Sequence, residues 1–122
     1  TIIHGKEVLL QMSYRPLSVF TRDMVTNRWK FSHNVEGFSN LIKSFEVDPT
    51  GNIWASHMYK GIYRLRLNED LRSVKEMEYI GKLEEGNESG TINVMKLRGR
   101  IVFSDGSKFY TYEDLRGVKR NV

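Results

Sequence analysis

Along most of the chain apolar and polar positions alternate with a period of two. Glycine, proline, asparagine and aspartate interrupt them at short intervals, which predicts an all-β protein of short strands and turns. Val8, Leu9 and Leu10 lie within Glu7 to Met12, which reads as a buried strand. A break at Tyr14, Arg15 and Pro16 leads to a second strand over Leu17 to Arg22, and Thr26 and Asn27 turn the chain into a third, Arg28 to Phe31.

The next segment is readable in two ways, since Phe38, Leu41, Ile42 and Phe45 have helical spacing whereas Leu41, Lys43, Phe45 and Val47 have strand spacing. The following turn favours a strand. Asp48 can accept from backbone N–H groups, Pro49 presets the second turn position, and Gly51 suits the fourth. The returning strand, Asn52 to Met58, points Ile53, Ala55 and His57 one way and Trp54, Ser56 and Met58 the other. Gly61 introduces a further strand with Tyr63, Leu65 and Leu67 on an apolar face and Arg64 and Arg66 on a face expected to meet water.

Between Asn68 and Ile80 two readings compete. Asn68 can cap a helix carrying Leu71, Val74 and Met77, while Lys75 to Ile80 fits an outer strand, which the repeat described below favours. Glu84 to Gly90 has loop composition. Thr91 to Leu97 returns to strand, with Ile92, Val94 and Lys96 opposed to Asn93, Met95 and Leu97. After Arg98 and Gly99 come a strand from Arg100 to Ser104, a hairpin turn at Asp105 and Gly106, and a strand from Lys108 to Tyr112.

These pieces repeat. Leu97 to Ser104 matches the stretch around Gly51 to Ser56 at an offset of 48, from Gly51 to Gly99, and Gly5 to Met12 is a weaker copy. Dividing 122 residues by a blade-like period of about 45 gives roughly 2.7 units. The expected fold is therefore a fragment of a β-propeller, of about two to three four-stranded antiparallel blades, because a closed ring takes at least about four. The expected division is a degenerate first blade or part of one over 1–37, the best-formed blade over 38–82, and a degenerate, incomplete blade over 83–122.

Composition narrows the function classes. Hydrophobic residues make up 39% of the chain and aromatic residues 11%, enough for a core and against disorder. No cysteine is present, which excludes a disulfide framework and thiolate chemistry without selecting a compartment. No run approaches the roughly 18 apolar residues of a membrane span, and Thr1 to His4 holds no signal segment, so the stretch reads as a soluble part of something larger. Nineteen Lys and Arg against 15 Asp and Glu give a formal charge of +4, with basic residues clustered at Arg64 and Arg66 and at Lys96, Arg98 and Arg100. Acidic residues interrupt these clusters, and a solvated sheet edge explains them more simply than nucleic acid, so no nucleic-acid partner is expected.

Candidate chemistry is sparse. His4, His33 and His57 form no short ligand pair, so no metal site is expected. Asp48, Asp105, Glu46 and Glu78 are available carboxylates, but Asp48 and Asp105 sit at turns whose geometry already explains them. No nucleophile elbow or phosphate loop accompanies them, so neither catalysis nor a cofactor is expected. Trp29 and Trp54 occupy non-equivalent positions, and each can stack a sugar or pack between sheets; Trp54 is the better core residue. The residues singled out as facing a ligand are His57, Tyr59 and Trp29, the first two lying just before Gly61 where a loop can open. Those assigned to turns and the repeat are Asp48, Gly51, Asn52, Ile53, Trp54, Gly61, Gly99, Asp105 and Gly106. Asn87-Glu88-Ser89 matches a glycosylation acceptor, a pattern frequent by chance that marks exposure.

The run from Phe38 to Ser56, with Asp48, Gly51, Asn52, Ile53 and Trp54 at its centre and Gly61-Ile62 after it, resembles the two-component regulator propeller repeat. Repeats of this kind build periplasmic sensor regions of bacterial hybrid two-component systems, known from gut Bacteroidetes that sense glycans. The match is specific over residues 38–67 and degenerates outside them: Val102 stands where tryptophan is usual, and Arg100 replaces the asparagine at Asn52. The resemblance implies a piece of a seven-bladed propeller in a periplasmic, non-catalytic sensor, with neighbouring blades of the parent chain as partners and an oligosaccharide as a possible ligand. Its repeat residues are architectural and its sugar-contacting residues lie on variable loops. A structural or protein-interaction scaffold is the alternative, and a carbohydrate-active enzyme fragment ranks last. Isolated blades leave apolar faces and strand edges unpaired, so self-association is expected of the segment alone.

Overall fold

The computed structural model describes residues 1–12, 17–81, 83, 90–106 and 108–114 and is all-β, with helical residues only at 112–114 among them. Three antiparallel sheets follow one another along the chain. The first contains β1 (Ile2–Ile3), β2 (Lys6–Gln11), β3 (Ser18–Arg22) and β4 (Trp29–Asn34). The second contains β5 (Ile42–Val47), β6 (Ile53–His57), β7 (Ile62–Leu67) and β8 (Val74–Ile80), and the third β9 (Asn93–Leu97), β10 (Arg100–Ser104) and β11 (Phe109–Tyr110). Within each sheet the spatial order is the sequence order, so every sheet is an up-and-down meander that needs only local turns.

Those turns explain the repeat. Ile3 pairs with Lys6 across His4-Gly5, and Leu97 pairs with Arg100 across Arg98-Gly99. Both central residues have positive φ in each turn, 51° and 76° in the first, 52° and 77° in the last. This is the two-residue type I′ hairpin, which follows the strand twist and places glycine second. In the second sheet Val47 pairs with Ile53, and the residues from Asp48 to Asn52 form a longer loop.

The second sheet lies between the other two and buries both faces. Ile53, Ala55, Leu65 and Leu67 join Val8, Leu10 and Val19 of the first sheet in one core, while Trp54 and Ile62 join Val94 and Phe103 of the third in another. Four consecutive residues of β6, Ile53 to Ser56, are consequently buried. In β2 only alternate residues are: Val8 and Leu10 face inward and Leu9 is exposed. The apolar run expected to be buried throughout is half-buried because its sheet has a neighbour on one side.

Asn68 to Ser73 forms a hairpin turn, and β8 occupies the segment that carried a competing helical pattern. The Asn68 backbone N–H and side-chain amide both donate to Ser73, and Leu71 adopts a φ of 60°, which a right-handed helix forbids. Leu71 is thereby delivered to the first core. The turn also holds two sheets together, since the Glu36 N–H donates to the Arg72 carbonyl at 2.8 Å and the Val74 N–H to the Glu36 carbonyl at 3.0 Å. The expected strand before Asp48 is β5, with a bulge between Ile42 and Ser44 that buries Ile42 and exposes Leu41. The hairpin at Asp105-Gly106 is wider than a two-residue turn, because Ser104 pairs with Phe109. No helix among the described residues is long and apolar enough to cross a membrane.

Candidate functional site

Asp48 organises the loop that the sequence singled out. Its Oδ1 accepts from the Thr50 N–H at 3.0 Å, the Thr50 hydroxyl at 2.8 Å and the Asn52 N–H at 2.9 Å. Its Oδ2 accepts from the Asn52 amide at 3.1 Å and the Trp54 indole at 3.0 Å. Gly51, at a φ of 91°, lets the loop double back so that its own N–H reaches the Asp48 carbonyl at 3.1 Å. Burial desolvates the carboxylate and raises its pKa, but donation from Trp54, Thr50 and Asn52 outweighs this and holds Asp48 below the ordinary carboxylate range. A carboxylate accepting five hydrogen bonds is committed to structure.

Trp54 turns that loop into a sheet-to-sheet lock. Its ring is 1% exposed and meets Phe103 edge-on at 4.9 Å and Tyr112 at 5.0 Å. Asn52 extends the network in the other direction, its Oδ1 accepting from Arg64 at 3.0 Å and from Arg66 at 3.3 Å. The Arg64 side chain, only 16% exposed, also lies 3.5 Å from Glu76 and from Glu78. The face of β7 expected to meet water is thus a partly buried charge network under the third sheet. A cleft of about 380 Å³ opens beside it, walled by Thr50, Asn52, Trp54, Arg100, Tyr112 and Glu113.

His57 and Tyr59, singled out as ligand-facing, belong to an aromatic strip at the opposite end of β6. Phe38, buried, meets Tyr63 at 5.3 Å; Tyr63 meets Tyr79 at 5.0 Å and His57 at 6.2 Å; His57 meets Tyr59 at 6.0 Å. Exposure rises along the strip to 69% at Tyr59, with Tyr79 also exposed. His57 Nδ1 accepts from the Tyr59 N–H at 3.1 Å and the Lys60 N–H at 3.3 Å, an acceptor role that leaves a neutral ring's proton on Nε2. The imidazole therefore shapes the loop that carries Tyr59.

Gly61 makes room for the strip. A Cβ there would lie 2.5 Å from the Tyr79 hydroxyl and 2.6 Å from its ring carbons, and the backbone φ is 74°. Without a side chain, Tyr79 lies over the turn and donates to the Lys60 carbonyl at 3.3 Å. The loop is fixed further by the Gly61 N–H on the Gly90 carbonyl at 2.9 Å and by the Thr91 hydroxyl on the Tyr59 carbonyl at 3.3 Å. Rigid backbone with projecting rings is suited to stacking on a ligand's apolar face while the phenol hydroxyls hydrogen-bond.

Trp29 is not brought to this strip. It stands on the outward face of the first sheet, with the Arg22 guanidinium 5.0 Å from its ring centroid and Arg22 paired to Glu7 at 2.6 Å. Tyr63 and Tyr79 escaped the sequence reading because they enter the strip by cross-strand pairing of β7 with β8, and that register is not a local signal. Among the described residues no cluster of histidine and carboxylate side chains could hold a metal ion. The Asn87 acceptor pattern lies outside the described residues. No known protein family, characterised protein or solved structure matches the chain.

Proposed function

We infer that the chain is a non-catalytic part of the extracytoplasmic sensor region of a two-component regulatory system, in which each sheet serves as a propeller blade and the His57–Tyr79 aromatic strip receives an oligosaccharide. The observation that carries this reading is the strip itself: tyrosine rings held by a fixed loop and increasingly exposed toward Tyr59. The resemblance of Asp48 to Trp54 and of Gly61-Ile62 to the regulator propeller repeat supports the sensor class and a periplasmic location. Five hydrogen bonds on Asp48 speak against its use as an acid or base.

Thermal unfolding of the chain across a panel of plant, host and microbial oligosaccharides tests the reading. A ligand at ten times its Kd stabilises the folded state by about 1.4 kcal/mol, which raises Tm by roughly 4–8 °C for a domain of this size. The expected result is such a shift for one chemical class, abolished by Tyr59→Ala together with Tyr79→Ala. A folded protein with no shift for any sugar would move the assignment to the interaction-scaffold reading, which the exposed hydrophobic side chains Leu9 and Phe31 on the first sheet and Leu97 and Phe109 on the third favour.

A further inference from the structure

The cleft beside the Asp48 loop carries side chains that the Asp48–Trp54 lock does not use. Part of its lining is the loop itself, held in one shape by the hydrogen bonds on Asp48, with Pro49 exposed at its tip. The rest comes from the third sheet, through Arg100 and Ile101 at the start of β10 and Tyr112 and Glu113 just after β11. Each of these is positioned by fixed backbone. Arg100 follows the Arg98-Gly99 hairpin, whose residues hold φ values of 52° and 77°. Glu113 lies in a short turn closed by Thr111, whose N–H and hydroxyl donate to Asp114 Oδ2 at 2.8 and 3.1 Å, and Tyr112 is packed edge-on against Trp54 at 5.0 Å.

Arg100 and Glu113 carry opposite charges into one cleft, yet neither forms an ion pair with the other or with any further described residue. Elsewhere opposite charges brought together by the strands do pair: Arg22 with Glu7, Lys30 with Asp23, and Arg64 with Glu76 and Glu78. The same lining offers apolar surface from Pro49, Ile101 and Tyr112. An anion drawn to Arg100 is repelled by Glu113, and a cation drawn to Glu113 is repelled by Arg100, whereas a ligand bearing both charges satisfies both. The cleft volume of about 380 Å³ lies at the small end of ligand sites, which run from roughly 300 to 1,000 Å³, and suits a single compact molecule.

We propose that this cleft is a second binding site, for a free α-amino acid with an apolar side chain. The Arg100 guanidinium takes the α-carboxylate, its planar fork of N–H donors matching the two oxygens. The Glu113 carboxylate accepts from the α-ammonium, and the ligand's side chain lies on Pro49, Ile101 and Tyr112. Trp54, 1% exposed, stays with the lock beneath. The aromatic strip occupies the other end of β6, so this site does not depend on the oligosaccharide reading, and it is built from the second and third sheets alone.

Titration of the chain with L-leucine and L-phenylalanine, followed by amide nuclear magnetic resonance shifts to about 10 mM, tests this alongside two analogues that each lack one charge, 3-phenylpropionate and phenethylamine. The expected result is shifts centred on Arg100, Ile101, Tyr112 and Glu113, with phenylalanine binding about 10-fold tighter than either analogue. Both variants are at exposed positions, and their dispersed spectra verify folding. Arg100→Gln should weaken phenylalanine and 3-phenylpropionate and leave phenethylamine unchanged; Glu113→Gln should weaken phenylalanine and phenethylamine and leave 3-phenylpropionate unchanged. Neither amino acid shifting these residues, an analogue binding as tightly as phenylalanine, or either folded variant binding phenylalanine as wild type does would overturn the proposal.

Discussion

Replacing Asp48 by Asn keeps the side chain's shape while converting one acceptor oxygen into a two-proton donor. The amide oxygen best retains the Oδ1 position, where three donors from Thr50 and Asn52 converge. Its nitrogen then faces the Trp54 indole N–H and the Asn52 amide, which now donate to Oδ2. Asn52 is half-buried and can reorient, but Trp54 is only 1% exposed and its ring is held against the third sheet, so its N–H has little access to a replacement acceptor. A buried donor left unsatisfied costs about 1–3 kcal/mol, and losing the charge from the remaining bonds adds up to about 1 kcal/mol. We therefore expect Asp48→Asn to cost about 1–4 kcal/mol, a sizeable share of the 5–15 kcal/mol that stabilises a typical domain. Urea unfolding at fixed protomer concentration measures it, and Trp54→Phe supplies the control because it removes the stranded donor. In the Trp54→Phe background Asp48→Asn should cost about 1–2 kcal/mol less. A cost below about 0.5 kcal/mol, or an equal cost in both backgrounds, would refute the assignment of Asp48 as the centre of the lock.

Four further outcomes follow from the same geometry. Because folding holds the Asp48 pKa below its unfolded value of about 3.9, its stabilisation is complete above that value and is lost as pH falls through the folded pKa; urea midpoints should therefore fall more steeply below about pH 4 for wild type than for Asp48→Asn. Gly61→Ala should destabilise by about 1–2 kcal/mol, since φ is 74° and the new Cβ displaces Tyr79, and near-ultraviolet circular dichroism should report the displaced ring. Phe103→Ala should cost about 3–5 kcal/mol in thermal unfolding because it empties the fully buried contact with Trp54. Ser56→Ala leaves the buried Ile92 carbonyl without its hydroxyl donor and should cost about 1–2 kcal/mol by urea unfolding.

Strand content and turn positions were legible because they depend on neighbours in sequence. Asp48, Gly51 and Gly99 announce hairpins through local backbone chemistry, and Val94 opposed to Met95 announces a one-sided strand. Burial was less legible wherever it depends on which sheet has two neighbours. Leu9 and Ala55 each lie four residues after a turn glycine, Gly5 and Gly51, yet Leu9 is exposed on an end sheet and Ala55 is enclosed in the middle one. Arg64 looked solvent-facing for the same reason: alternation assigns it to a face, and only the third sheet covers that face. Within the candidate site, His57 and Tyr59 were visible beside Gly61, whereas Tyr63 and Tyr79 depend on β7–β8 pairing. Asn68 also shows how local propensity yields to a turn, since the side chain that suits a helix cap instead closes a hairpin on Ser73.

The most direct test of the aromatic strip as the receptor surface is a nuclear magnetic resonance titration of the chain with the oligosaccharide that most raises its Tm. The account predicts that shifts concentrate on Tyr59, Tyr79 and His57, and that Tyr59→Ala weakens Kd about 10-fold, the loss of about 1.4 kcal/mol of stacking. Shifts centred on Arg100, Tyr112 and Glu113 beside the Asp48 loop, with Tyr59→Ala binding as wild type, would contradict it.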